Sequence, residues 1–134
     1  MLKTDLLQLL EVLQEKSDVE YDQGGLLYTY TEASRQAHSR MLKPGDAVLN
    51  TLEVKEFARF LQQSQSEQHY GIKEANEESV LLASTFITML QADLEYDEIV
   101  MTTDDKGWDM EVTFSMVRRS DNRYFSLELW WSVD

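Results

Sequence analysis

The sequence predicts an α+β fold: a C-terminal three-stranded antiparallel meander packed on a long helix, with N-terminal helices and a short β-hairpin. Three observations predict it. Apolar and polar residues alternate strictly near the C-terminus, an apolar face recurs at helical spacing in the middle, and leucines recur at helical spacing near the start. No linker rich in Pro, Gly and Ser divides the 134 residues, so we expect a single domain spanning 1–134.

The C-terminal third has the clearest pattern. Even positions are apolar from Trp108 to Met116, and odd positions are apolar from Phe125 to Val133. This period of two predicts two strands with one buried face. A strand over Glu98–Thr103 and a turn over Asp104–Gly107 complete the meander. The alternation identifies the buried face but leaves the pairing register open.

The long helix is predicted over Ala75–Leu94. Its apolar residues fall three and four positions apart and form a face wider than the seam of a two-stranded coiled coil; they include Val80, Ala83, Ile87, Leu90 and Leu94. A wide face is typical of a helix that packs on a sheet. We therefore expect this helix to cover the apolar face of the meander.

The N-terminal half predicts shorter elements. A helix starts near Thr4 or Asp5, and a hairpin is expected where Val19–Gln23 and Leu26–Thr31 flank two glycines. A second helix is predicted over Glu32–Leu42.

A third N-terminal helix is predicted to begin at Asn50, which forms an approximate capping box with Glu53. The polar stretch Gln62–Tyr70 is expected to be its frayed end and a loop.

Composition excludes several classes of site. The chain has no cysteine, so disulfides, thiolate metal ligands and a cysteine nucleophile are excluded. Charged and polar residues interrupt the first leucines, unlike a signal peptide, and no apolar run approaches the ~20 residues of a membrane helix. We expect a cytoplasmic protein without membrane contact.

Acidity is the least ordinary property. Twelve Lys and Arg face 25 Asp and Glu, giving a net charge of −13, and residues 67–111 hold twelve of the acids with two bases. Such a field repels nucleic acid and attracts basic proteins. An equally strong interpretation is that the acidity only keeps the protein soluble.

No pattern indicates catalysis, a metal or a cofactor. The acids around Gly107 fail the EF-hand spacing, and His38 and His69 lack the spacing of a two-histidine metal helix. We therefore predict that the chain is not an enzyme, has no catalytic residue and needs no metal or cofactor.

The leading hypothesis is a non-catalytic acidic protein that neutralises a basic partner protein, as an inhibitor of a nucleic-acid-binding protein or a toxin immunity protein would. Trp130 is expected to be an apolar anchor, because alternation places it on the polar face. The predicted partner-binding residues are Asp93, Glu95, Asp97, Glu98, Asp104, Asp105, Asp109, Glu111 and Trp130.

Two alternatives remain. One is a small chaperone or adaptor, acting as a homodimer, that captures an exposed peptide with aromatic side chains on polar faces. Alternation leaves open whether those aromatics point outward or are covered by a second layer; they are Tyr21, Tyr28, Tyr30, Tyr124 and Trp130. The other alternative is an enzyme of unknown class.

Overall fold

The computed structural model describes residues 1–20, 25–33, 48–66 and 72–132, and the chain is α+β. The helices in these ranges are α1 (Thr4–Glu20), α2 (Thr51–Gln65) and α3 (Glu77–Leu94). The strands are β1 (Gly25–Ala33), β2 (Glu98–Asp105), β3 (Asp109–Arg118) and β4 (Arg123–Ser132). They form one antiparallel sheet in the order β1-β4-β3-β2.

None of the helices in the described ranges has the length and apolar character needed to cross a lipid bilayer.

The sheet has four strands, because β1 pairs with the outer edge of the meander. Leu27 lies opposite Trp130, and Tyr30 lies opposite Leu127. The predicted N-terminal hairpin is wrong at the start of its first arm, since Val19 and Glu20 continue α1, and the rest of that arm, residues 21–23, lies outside the described residues. The strand that pairs with β1 is β4, which is distant in the sequence.

The second predicted helix is wrong at its start, because Glu32 and Ala33 belong to β1. These two residues extend the ladder with β4, where Glu32 lies opposite Phe125. The rest of that predicted helix, residues 34–42, lies outside the described residues.

The apolar alternation is confirmed within β3 and β4, and Val133 lies outside the described residues. Phe114, Leu129 and Trp131 have no solvent exposure, and Val112 lies opposite Leu129 in a register without a bulge. The prediction is wrong at Trp108, which is 59% exposed because it precedes β3 in the turn after Gly107. We call the buried face of the sheet the inner face.

Aromatic side chains join the helices to the inner face. The ring of Phe57 in α2 meets Phe114 edge-on at 4.9 Å between centroids and Phe86 of α3 at 5.1 Å. α1 contacts β1, and α2 contacts both β3 and α3. Packing of the meander mainly on α3 is not confirmed, because α2 supplies the closest ring and Phe86 lies 6.5 Å from Phe114.

Capping defines where α2 begins. The Asn50 side chain accepts from Glu53 N–H at 2.8 Å, and Asn50 N–H donates to Glu53 Oε1 at 3.0 Å, which confirms the predicted capping box. α2 continues to Gln65, so the first residues of the stretch predicted to be a frayed end and a loop are helical, and its residues 67–70 lie outside the described residues. α2 stays helical to Gln65 because Gln63 is buried and accepts a hydrogen bond from Ile72 N–H at 3.1 Å.

Candidate functional site

The three helices in the described ranges pack on one face of the sheet. The opposite surface, which we call the outer face, consists of the odd positions of β1 and β3 and the even positions of β2 and β4. None of these strand positions is Lys or Arg, and five are acidic: Glu98, Asp104, Asp109, Glu111 and Glu128. The outer face therefore carries negative charge across β2, β3 and β4, the three strands that hold these acids.

Trp130 lies in the row that crosses the sheet at one end. Its cross-strand neighbours are Leu27 on β1 and Glu111 on β3, and Asp104 follows on β2. Trp130 is 45% exposed and Leu27 is 50% exposed, so the two form a small apolar patch that water reaches.

A hydrogen bond fixes the Trp130 ring. Its indole N–H donates to Asp109 Oδ1 at 3.0 Å. The ring borders a shallow depression of about 180 Å³ whose walls also include Leu27, Thr113 and Glu128. The indole ring is thus held beside a depression whose lining includes the carboxylates of Glu111 and Glu128.

Few basic side chains of the protein itself lie close enough to neutralise the carboxylates near Trp130. Glu111 and Glu128 form no ion pair with any residue that the structure describes. Asp104 lies 3.9 Å from Lys106 Nζ, but both side chains are more than half exposed and such pairs contribute little. A basic group from outside would therefore meet charges that are still available.

Apart from Asp105, the predicted acidic residues divide into two groups at opposite ends of β2. Glu98 and Asp104 are six residues apart on one strand, which separates them by roughly 20 Å. Asp104, Asp109, Glu111 and Trp130 come together at one end, whereas the group with Glu98 lies at the other.

The second group is occupied by internal contacts. Arg119 Nη2 lies 2.6 Å from Glu98 Oε2, and Arg119 N–H donates to Asp97. Asp93 accepts a hydrogen bond from Lys3 N–H at 2.9 Å, and Glu95 caps α3 in a left-handed conformation. These acids hold the end of α3 and the start of β2 in place.

Asp105 belongs to neither group, because it faces α2. Arg59 Nη1 lies 2.7 Å from its carboxylate, and Gly107 N–H donates to it at 2.8 Å. Burial raises the pKa of Asp105, but the Gly107 N–H and the Arg59 guanidinium outweigh it and lower the pKa below its usual value. The residue therefore fastens the tip of β2 to α2.

The aromatic residues also separate into two sets. Tyr28 and Tyr30 lie on the inner face and pack against the core, so the second-layer interpretation applies to them. Tyr124 and Trp130 lie on the outer face, and Tyr21 lies outside the described residues. Tyr28 and Tyr30 are therefore not available on the outer face to bind a peptide, as the adaptor hypothesis required.

Sequence reasoning missed Leu27 and Glu128. Glu128 was visible as an outward residue of its strand, but its place beside Trp130 in the depression depends on the register. Leu27 lies on the face of its strand opposite to Tyr28 and Tyr30. Its position next to Trp130 follows only from the pairing of β1 with β4.

Within the described ranges, no three His, Asp or Glu side chains converge in a way that could hold a metal ion. No family model, curated protein or solved structure matches this chain.

Proposed function

We propose that the chain is a non-catalytic binding protein that neutralises a basic partner protein through the outer face of its sheet. One observation supports this most directly: an exposed tryptophan, oriented by Asp109, lies on a face whose described positions include five carboxylates and no Lys or Arg. Tryptophan is enriched among the residues that contribute most to protein–protein binding.

The chemistry of the contact follows from the depression beside Trp130. A Lys or Arg side chain of the partner would place its apolar stem on Leu27 and its cation over the indole ring. Glu111 and Glu128 would then lie on either side of the charge. Opposite fields also raise the rate of association.

The partner class follows from the same charge. A protein that uses a basic surface to bind nucleic acid would be blocked when the outer face occupies that surface. An inhibitor of a nucleic-acid-binding protein and a toxin immunity protein both fit this description. We include a cytoplasmic setting in the proposal, because a chain without cysteine is compatible with a reducing compartment.

The first prediction concerns the charge of the outer face. Asp104→Asn, Asp109→Asn, Glu111→Gln and Glu128→Gln together remove four charges and keep the acceptor for Trp130. Association with a basic partner, identified by capture from lysate, should slow by roughly tenfold at low salt and become less salt-dependent. Stopped-flow kinetics at several ionic strengths measure both quantities.

A matched control removes the same charge elsewhere. Glu11, Glu15, Glu77 and Glu78 are exposed on α1 and α3, away from the outer face, and are changed to Gln together. This variant should associate nearly as fast as the parent. Equal slowing in both variants would mean that only net charge matters, and the outer face would lose its assigned role.

A second prediction concerns the anchor. Trp130→Ala should raise the dissociation rate from the same partner by roughly tenfold, because a central aromatic contact is lost. The salt dependence of association should stay that of the parent. Surface plasmon resonance separates the two rates, with the exposed Trp108→Ala as a control. A similar loss in both variants would contradict the assignment.

The peptide-capturing adaptor is the second candidate, and the exposed Leu27–Trp130 patch favours it. Capture dominated by that patch would weaken little with added salt, whereas binding dominated by the carboxylates would weaken strongly. The salt series above therefore distinguishes the two functions.

A further inference from the structure

The strand β2 lies at the edge of the sheet. β3 is its hydrogen-bonded neighbour on one side, and no strand that the structure describes pairs with the other side. The residues that lead into β2 and out of it, 94–97 and 106–108, are described as well. The free side of β2 is therefore an edge in the described part of the chain.

The phase of the ladder shows which backbone groups face this free edge. Lys106 N–H donates to Asp109 O at 2.8 Å, and the register continues from that pair along β2. In an antiparallel ladder such bonds recur at every second residue, so Thr102 and Asp104 bond to β3. The backbone N–H and C=O groups of Ile99, Met101 and Thr103 therefore point away from β3, toward the free edge.

β2 lacks several of the features that usually prevent pairing at an edge, and the charges it does carry are all acidic. Natural edge strands are protected by lysine, proline, a bulge or short length. β2 is eight residues long, contains no lysine or proline, and keeps its register with β3 without interruption. Within the described ranges, the outward backbone groups of Ile99, Met101 and Thr103 have no hydrogen-bond partner. The strand is a template for one more strand.

Charge selects what could pair there. β2 carries Glu98, Asp104 and Asp105 and no basic residue. A second copy of the chain, paired antiparallel about Met101 so that the free backbone groups of the two strands meet, would place Glu98 opposite Asp104 of the other copy, and each copy has a net charge of −13. Like charges directly opposite destabilise a strand pair. A basic segment would instead place Lys or Arg beside Asp104.

We propose that the free edge of β2 accepts an extended, lysine- or arginine-bearing segment of the partner protein as a fifth strand. This inference rests on the proposed function, because it specifies the part of the basic partner that binds. The added strand would extend the row that runs from Asp104 through Glu111 to Trp130, so backbone pairing and the acidic outer face would act on one continuous surface.

The test removes one outward donor. Thr103→Pro eliminates the N–H of an exposed residue that does not bond to β3, and proline is tolerated at such edge positions. Thr103→Ala is the matched control, since it also loses the threonine side chain but keeps the N–H. The probe is a synthetic peptide of alternating Lys and Val, as long as β2. Thermal melting confirms that both variants fold.

Titration calorimetry should show that Thr103→Pro binds the peptide roughly tenfold more weakly than Thr103→Ala. A loss of this size is expected when about one to two backbone hydrogen bonds to the peptide are lost and the local strand conformation is disturbed. A peptide in which every second valine is replaced by proline keeps the charge but cannot form a ladder, so it should bind the parent at least tenfold more weakly. Equal binding of the two peptides, or no binding of either, would overturn the inference.

Amide hydrogen exchange gives a measurement that needs no variant. In the free protein the amides of Ile99, Met101 and Thr103 should exchange fast, and the Lys-Val peptide should slow them at least tenfold. The Thr102 amide, already bonded to β3, should change little. Binding without this protection would reject strand addition.

The outcomes also separate this inference from the proposed function. Partner binding that depends on Trp130 but not on the Thr103 N–H would refute strand addition and leave outer-face binding intact. The reverse dependence would refute outer-face binding alone. A dimer of the parent that sediments as a monomer after Thr103→Pro would show that a second copy occupies the edge, which would also overturn the inference.

Discussion

Replacing Phe114 with alanine is expected to lower the free energy of unfolding by about 3–5 kcal/mol. The Phe114 ring has no solvent exposure and meets Phe57 edge-on at 4.9 Å, so its loss leaves a cavity between the sheet and α2. Surrounding strands prevent that cavity from collapsing fully. Urea denaturation, with the slope held common to parent and variant, measures the change.

Thr113→Ala is the control for this prediction. Thr113 is the preceding residue on β3 but belongs to the outer face, where it is partly exposed. Its replacement should cost less than about 1 kcal/mol. Comparable losses at both positions would contradict the assignment of the two faces.

Arg59→Met is expected to lower the free energy of unfolding by about 1.5–3 kcal/mol at neutral pH, in line with hydrogen bonds to charged groups. The Arg59 side chain is 18% exposed and lies 2.7 Å from Asp105 and 3.3 Å from Glu56. It also donates to Ile72 O at 3.1 Å. Methionine keeps most of the volume and removes all three contacts.

The effect of Arg59→Met should depend on pH. Arg59 and Gly107 N–H lower the pKa of Asp105 in the folded state, although burial opposes them. The resulting stabilisation is complete above the unfolded pKa of about 3.9 and is lost as pH falls through the folded value. The difference between parent and variant should therefore shrink below about pH 4. Denaturation at pH 7 and at pH near 2.5 compares the two.

Lys55→Met provides the matched charge change on the same helix. Lys55 is exposed and forms no ion pair with a described residue. The Lys55→Met substitution should change the free energy of unfolding little at either pH. A loss as large as that of Arg59→Met would show that net charge, and not the contact with Asp105, determines the effect.

The inner face was predictable because a period of two does not depend on register. Phe114 and Leu129 face the same side whatever residues lie opposite them. The partner of β1 was not predictable, because Gly24-Gly25 is a strong local turn signal whereas pairing with β4 is a tertiary effect. α1 extends through Val19 and Glu20, where the first arm of the hairpin was predicted to begin.

The candidate site was predictable only in part. Alternation identified Trp130 as an outward tryptophan, but a chain with 25 acids does not reveal which of them are paired. Glu98 meets Arg119 and Asp105 meets Arg59 across long stretches of sequence. Those contacts remove both acids from the surface available to a partner and leave Asp104, Glu111 and Glu128.

The pairing of β1 with β4 also determines the order in which the sheet can assemble. Each strand of the meander follows its neighbour after a short turn, whereas β1 is synthesised long before the strand it pairs with. Until β4 leaves the ribosome, β1 lacks the one strand with which it pairs in the described part of the sheet, although α1, which it also contacts, has already been made. The entropy lost on closing the loop between β1 and β4 grows only with the logarithm of its length. The long separation therefore affects the folding rate more than the final stability. The β1–β4 ladder therefore forms only after β4 has been synthesised, and it joins β1 to the meander.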